Sequence, residues 1–188
     1  MEPRTLDDLL AVEAIRQLKA RYCRFVDTKQ WRQLEKLFTP DARLEGFGSV
    51  PDGSNPAHFV DGVSKRLGQA TTIHHVQAPE ITLVGPETAR GIWSMMDHVE
   101  FPADQQPPGS PIDRGWIGWG YYEEEYVRTN DNWLISYMRL ARQRMEDLPV
   151  YHPQAKPIRH TPNTEWFLEP GRPNDGPNFR SWHRPDQV

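Results

Sequence analysis

Residues 88–101, TARGIWSMMDHVEF, decide how the rest of the chain is read. The odd positions are Ala89, Gly91, Trp93, Met95, Asp97, Val99 and Phe101, and the even ones include Arg90, Ser94, His98 and Glu100. Successive side chains of a strand point to opposite faces, so this is a strand with its odd face buried and Asp97 in the middle of that face. A carboxylate placed there has to be neutral, paired or hydrogen-bonded. It is either a structural group satisfying a helix end or turn, or one wall of a pocket.

Working outward, residues 72–84, 115–128 and 132–145 share the same enrichment in β-branched and aromatic residues and read as three more strands. Gly85-Pro86 separates the first two, the stretch DQQPPGSPID the second and third, and Thr129-Asn130-Asp131 turns the last hairpin. Gly115, Gly118 and Gly120 lie within a strand and read as room for bulky neighbours or as bulges.

Upstream the period is helical. Residues 5–29 carry Ile15, Leu18, Tyr22, Phe25 and Val26 at three- and four-residue steps, with Arg16, Lys19, Arg21 and Arg24 falling largely elsewhere. Thr5 is the expected N-cap, and Asp7 and Asp8 suit the positive end of the helix dipole. A short helix over 30–38, stopped by Pro40 and Asp41, precedes a short strand at 42–48. The loop VPDGSNP leads into a third helix over 56–69. Helices first and consecutive strands afterwards give an α+β fold, with N-terminal helices packed on a curved, mainly antiparallel sheet.

At 188 residues the chain can bury one sizeable core, and residues 1–148 are read as that domain. Residues 149–188 are Pro-rich and aperiodic, yet Trp166, Phe167, Phe179 and Trp182 are too apolar for a purely solvated tail. They are expected to pack on the domain or on a neighbouring subunit. A net charge of −4 provides no broad basic surface, which argues against a nucleic-acid partner. The single Cys23 rules out an internal disulfide and reads as a small buried hydrophobe. No segment approaches the roughly 20 apolar residues needed to cross a bilayer. The opening MEPRTLDDLL lacks the pattern of a secretory signal, so no membrane partner and a cytoplasmic location are expected.

Among polar residues, His74 and His75 are adjacent on a strand, so one ring alone can face the interior. Asp27 closes the first helix just past Phe25 and Val26; a capping role before Thr28 competes with a pocket role. His74, His75, His98, Asp27, Glu80, Asp97 and Glu100 could in principle ligate a metal, but their spacing matches no metal motif. Nucleophile elbows, phosphate-binding glycine loops and dinucleotide fingerprints are missing as well. The apolar residues Trp93, Met95, Phe101, Trp116 or Trp119, and Tyr121 or Tyr122, are candidate pocket walls that could equally be core.

The stretch AIRQLKARYCRFVDTKQWRQLEKLFTPDA, followed by IHHVQAPEITLV and TARGIWSMMDHV, resembles SnoaL-like proteins of the nuclear transport factor 2-like superfamily. The similarity spans roughly residues 10–147 and leans toward dehydratases such as those acting on bile acids and, more distantly, on scytalone. It implies a cone-shaped α+β barrel. It also implies four catalytic positions: Tyr22 to polarise a substrate oxygen, His74 as general base, Asp27 to orient it, and Asp97 as a second pocket carboxylate. Trp93, Met95, Trp116 and Tyr122 would then contact a small hydrophobic substrate of polycyclic or steroid-like character. A lyase that eliminates water without cofactor or metal is the leading expectation. An isomerase or cyclase using the same base, and a non-catalytic binding protein, are the alternatives, because this fold serves all three. A homo-oligomer is expected, a trimer in preference to a dimer, through a sheet face carrying Ile81, Leu83, Trp119 and Ile135.

Overall fold

The computed structural model describes residues 5–102, 114–130 and 132–148. The elements run α1 (Leu6–Asp27), α2 (Trp31–Glu35), β1 (Phe38–Glu45), α3 (Pro56–Leu67), β2 (Thr71–Gly85), β3 (Thr88–Glu100), β4 (Gly115–Thr129) and β5 (Asn132–Asp147). The strands form one mixed sheet in the order β1-β5-β4-β3-β2. β2 to β5 meander antiparallel, and β1 joins the edge beside β5 in parallel. The helices lie against this curved sheet, which is the α+β barrel expected from the sequence. The loop at 104–113 and the proposed extension at 149–188, with its four aromatic residues, lie outside the described residues.

Local chemistry accounts for the helices. Thr5 and Asp8 form a reciprocal capping box at the start of α1, an arrangement worth about 1 kcal/mol. Asn55 caps α3, and Pro56 occupies its first turn, where no backbone donor is lost. The inner stripe of α1 is Ile15, Leu18, Tyr22, Phe25 and Val26, as its periodicity predicts. α2 stops earlier than expected. Phe38 already opens β1, and Pro40 and Asp41 sit inside that strand instead of ending a helix. β1 is an edge strand with a register shift between Phe38 and Arg43, a setting that tolerates a proline.

Two bulges redirect side chains. Between Gln77 and Glu80 the β2–β3 register slips, with Ala78 at φ 41°. The inward positions change there from Thr72, His74 and Val76 to Ile81 and Leu83, as an extra residue in a strand requires. A second slip, between Glu125 and Tyr126, turns Ile135 inward on β5. The expected sheet face of Ile81, Leu83, Trp119 and Ile135 is therefore corrected: Leu83 and Ile135 belong to the core. The large apolar residues exposed on the strands are Ile73, Val84, Ile92, Tyr121 and Met145.

Candidate functional site

α1 ends where the site begins. Lys29, at φ 59°, turns the chain out of the helix, and the Thr28 hydroxyl donates to the Arg24 carbonyl at 2.6 Å. The last helical residue, Asp27, faces β2 and uses both carboxylate oxygens on one residue. One oxygen accepts the His74 backbone N–H at 2.9 Å, and the other lies 2.7 Å from His74 Nδ1. With Nδ1–H donating to Asp27, the ring is fixed in one tautomer and Nε2 is the nitrogen left to accept a proton. The His74 side chain is 7% exposed and lines a cavity of about 210 Å³. His75, as alternation requires, is exposed.

Asp97 pairs directly with His74 across the β2–β3 ladder, which puts their Cβ atoms about 5 Å apart. It is buried and gripped by Arg142 through two hydrogen bonds of 2.6 and 2.5 Å, with Trp116 Nε1 at 3.5 Å. Burial by itself would lower the Arg142 pKa, but the hydrogen bonds and charge of Asp97 more than offset it, so the guanidinium stays charged. Gly118 explains how the two fit. A Cβ there would stand 1.9 Å from Arg142 Nη1 and 2.4 Å from Asp97 Oδ1. Arg142 could have been found by following the alternation of β5 past Met138 and Leu140.

Tyr22 and Tyr122 complete the polar floor of the cavity, their rings edge to face with centroids 5.7 Å apart. Burial drives both hydroxyls well above the ordinary tyrosine pKa, so they are neutral hydrogen-bond donors. Tyr22, His74 and Asp97 thus line one cavity, and Asp27 supports it from behind His74. Of the four proposed substrate contacts, Trp116 and Tyr122 line the cavity. Trp93 and Met95 share the buried face of β3 and are packed in the core, apart from the residues that line this cavity, and Trp93 Nε1 donates to the Tyr126 hydroxyl at 2.8 Å.

Sequence reasoning missed a buried ionic cluster behind the tyrosines. Lys19, assigned to the polar side of α1, is fully buried and pairs with the equally buried Glu124. Its ammonium stands 3.4 Å from the Tyr122 ring centroid and 4.3 Å from that of Tyr22. The second oxygen of Glu124 accepts from the Tyr126 hydroxyl. Glu124 follows Trp116, Gly118, Gly120 and Tyr122 on the inner face of β4, so alternation carried through the acidic run Glu123-Glu124-Glu125 would have found it. Cys23 is buried, as expected, and burial pushes its thiol up to about 12 despite the opposing charge of Lys19. Among the described residues, no group of three His, Cys, Asp or Glu side chains comes together to hold a metal.

Known proteins carry this architecture. A putative scytalone dehydratase from Novosphingobium aromaticivorans superimposes with a TM-score of 0.63 at 18% identity, covering 83% of this chain and 98% of that one. A type 2 hexachlorocyclohexane dehydrochlorinase gives 0.68 at 21% identity, covering 81% and 99%. In sequence, a probable cyclase from Gibberella zeae is 24% identical over 147 residues, 70% of this chain and 91% of the cyclase. The model of the SnoaL-like domain matches residues 7–139, most of the described fold, and the chain belongs to that family.

Proposed function

We propose that the protein is a lyase of the dehydratase type, acting without an organic cofactor on a hydrophobic, ring-bearing carbonyl compound. The observation that carries this reading is the double contact of Asp27 with His74, which leaves Nε2 as the basic nitrogen beside a cavity. Names of relatives, dehydratase and dehydrochlorinase, lend support.

In the reaction, His74 Nε2 takes a proton from the carbon next to the carbonyl, and Asp27 stabilises the imidazolium that forms. Negative charge moves to the carbonyl oxygen, where the neutral Tyr22 hydroxyl donates to it, backed by the hydrogen bond it accepts from Tyr122. The imidazolium then returns the proton to the departing hydroxyl. The products are a conjugated carbonyl compound and water. Asp97 holds both oxygens on Arg142, so the acid in this step is the imidazolium and Asp97 orients Arg142 at the cavity wall. A cavity of about 210 Å³ suits one or two rings, and a steroid-like substrate would extend through the mouth.

The cyclase relative supports a second outcome, in which the same enolate attacks an internal carbonyl and no water is lost at that step. Ultraviolet-monitored turnover of a panel of hydroxylated cyclic ketones, 3-oxo steroids included, separates the two. New conjugation with wild type that disappears in Asp27→Asn and His74→Ala supports the dehydratase. Consumption of ketone with a ring-closed product supports the cyclase. Undiminished turnover in both variants would remove the dyad from the chemistry.

A further inference from the structure

Among the charged groups that the described residues bring to the cavity, Arg66 is the one with no oppositely charged group in contact. Asp97 and Arg142 neutralise each other through two hydrogen bonds. Asp27 is taken up by His74. Arg66, from the last turn of α3, also lines the cavity, and among the described residues no carboxylate lies within ion-pair distance of it. Its one hydrogen bond among the described residues runs from Nη1 to the Gly48 carbonyl at 3.2 Å, and its guanidinium stands 5.3 Å from the centroid of the Trp116 ring. The fork of donors in a guanidinium is therefore mostly unspent.

A second observation falls at the same spot. Ser49, the next residue of the loop that Arg66 touches, lines the cavity too, and its hydroxyl is buried with no hydrogen-bond partner among the described residues. A buried polar group left without a partner is costly and calls for an explanation. The loop is drawn onto α3 by Gly62, where a Cβ would stand 2.3 Å from Val50 Cγ1 and 2.8 Å from the Ser49 carbonyl. Gly62 and Arg66 are four residues apart and so share one face of the helix. Gly62 thus seats Ser49 against the helix that carries Arg66, next to the Gly48 carbonyl that Arg66 holds.

We infer that Arg66, with Ser49, forms a carboxylate-binding subsite, so that the substrate is a hydrophobic ring compound carrying an acid group away from the carbon that reacts at His74. The inference rests on the lyase reading for the role of His74, but the subsite itself stands on Arg66, Ser49 and Trp116. A planar carboxylate accepts two parallel hydrogen bonds from a guanidinium, and the Trp116 face beneath steers an aromatic ring attached to it. Anchoring at one end holds the acidic C–H in place at the other, which is how remote binding contributes to rate.

The probes are 1-naphthoate and its uncharged counterpart 1-naphthalenemethanol, titrated calorimetrically into the full chain at low salt. Wild type is expected to bind the acid at least about tenfold more tightly than the alcohol, a difference of about 1.4 kcal/mol. Added sodium chloride is expected to narrow the gap. Arg66→Gln brings the two probes to parity, and Arg66→Lys keeps part of the preference. Equal affinity in wild type, no measurable binding of the acid at millimolar concentration, or a preference that survives in Arg66→Gln would overturn the subsite. A wild-type preference insensitive to salt would do so without recourse to a variant. Charge preference without turnover of any ketone would keep the subsite and remove the lyase; turnover of neutral ketones without charge preference would do the reverse.

Discussion

Replacing Glu124 with glutamine tests the ionic cluster that underlies the cavity floor. The Lys19 ammonium and the Glu124 carboxylate are both fully buried and hydrogen-bonded to each other. Removing one partner of such a pair strands the other and costs about 3–5 kcal/mol. Two features place Glu124→Gln at the lower end. The amide oxygen can still accept a hydrogen bond from Lys19, and the Tyr22 and Tyr122 rings remain 4.3 and 3.4 Å from the ammonium. There is also a ceiling, because an ordinary lysine sheds its proton at pH 7 for about 4.6 kcal/mol. The expected loss is about 3 kcal/mol. With a urea dependence of about 1–3 kcal/mol per molar, the midpoint of unfolding falls by about 1–3 M, read from tryptophan fluorescence. In a double-mutant cycle, Glu124→Gln made on top of Lys19→Met is expected to cost at least about 2 kcal/mol less than on its own. A loss below about 1 kcal/mol for Glu124→Gln, or additivity of the two changes, would refute the idea that this pair braces the tyrosines.

Three more outcomes follow from the same geometry. Gly118→Ala forces a Cβ between Arg142 and Asp97, and thermal unfolding should show a loss of about 3 kcal/mol from the broken pair; an unchanged melting temperature would contradict the packing described. Cys23, raised to about 12 chiefly by burial, should resist thiol-disulfide reagents at pH 8 in the native protein and react promptly in denaturant, whereas fast native labelling would argue against its place in the core. Lys29 is lowered to about 8 by burial, against the pull of Asp27. The unfolded chain then binds more protons than the folded one between pH 8 and the ordinary lysine value of 10.5, so this residue's contribution to stability rises with pH across that window. Wild type measured relative to Lys29→Met should show the rise, and parallel pH profiles would exclude it.

The four long strands and α1 were legible because each carries a period long enough to override single exceptions. Odd-face burial from Ala89 to Phe101 followed directly from alternation. The errors cluster where a period breaks. The bulge at Ala78 and the slip near Tyr126 reversed the faces of Leu83 and Ile135, and no local composition announces either. Lys19 was misplaced because a charged residue beside an apolar stripe is usually solvated; only the inner position of Glu124 on β4 reveals that a partner waits for it. Asp27, His74 and Asp97 were separately ambiguous as cap, strand histidine and buried carboxylate. What distinguishes them is the pairing of His74 with Asp97 across two strands and the reach of α1 to β2, both long-range contacts. Arg66 carried no signal of its own, since its meaning depends on which other charges around the cavity are already matched.

The central claim is that His74, oriented by Asp27, is a carbon base. It can be tested without the natural substrate by following solvent-deuterium exchange into 2-tetralone, a bicyclic ketone with acidic hydrogens, by NMR. Wild type should speed exchange at the carbon next to the carbonyl by at least about 10²-fold over buffer, the ordinary scale of general-base assistance. Asp27→Asn and His74→Ala should each return the rate to near the buffer value with the fold intact. Binding of the ketone, seen as broadening of its resonances, with no acceleration of exchange in wild type would contradict the assignment of this pair as the base.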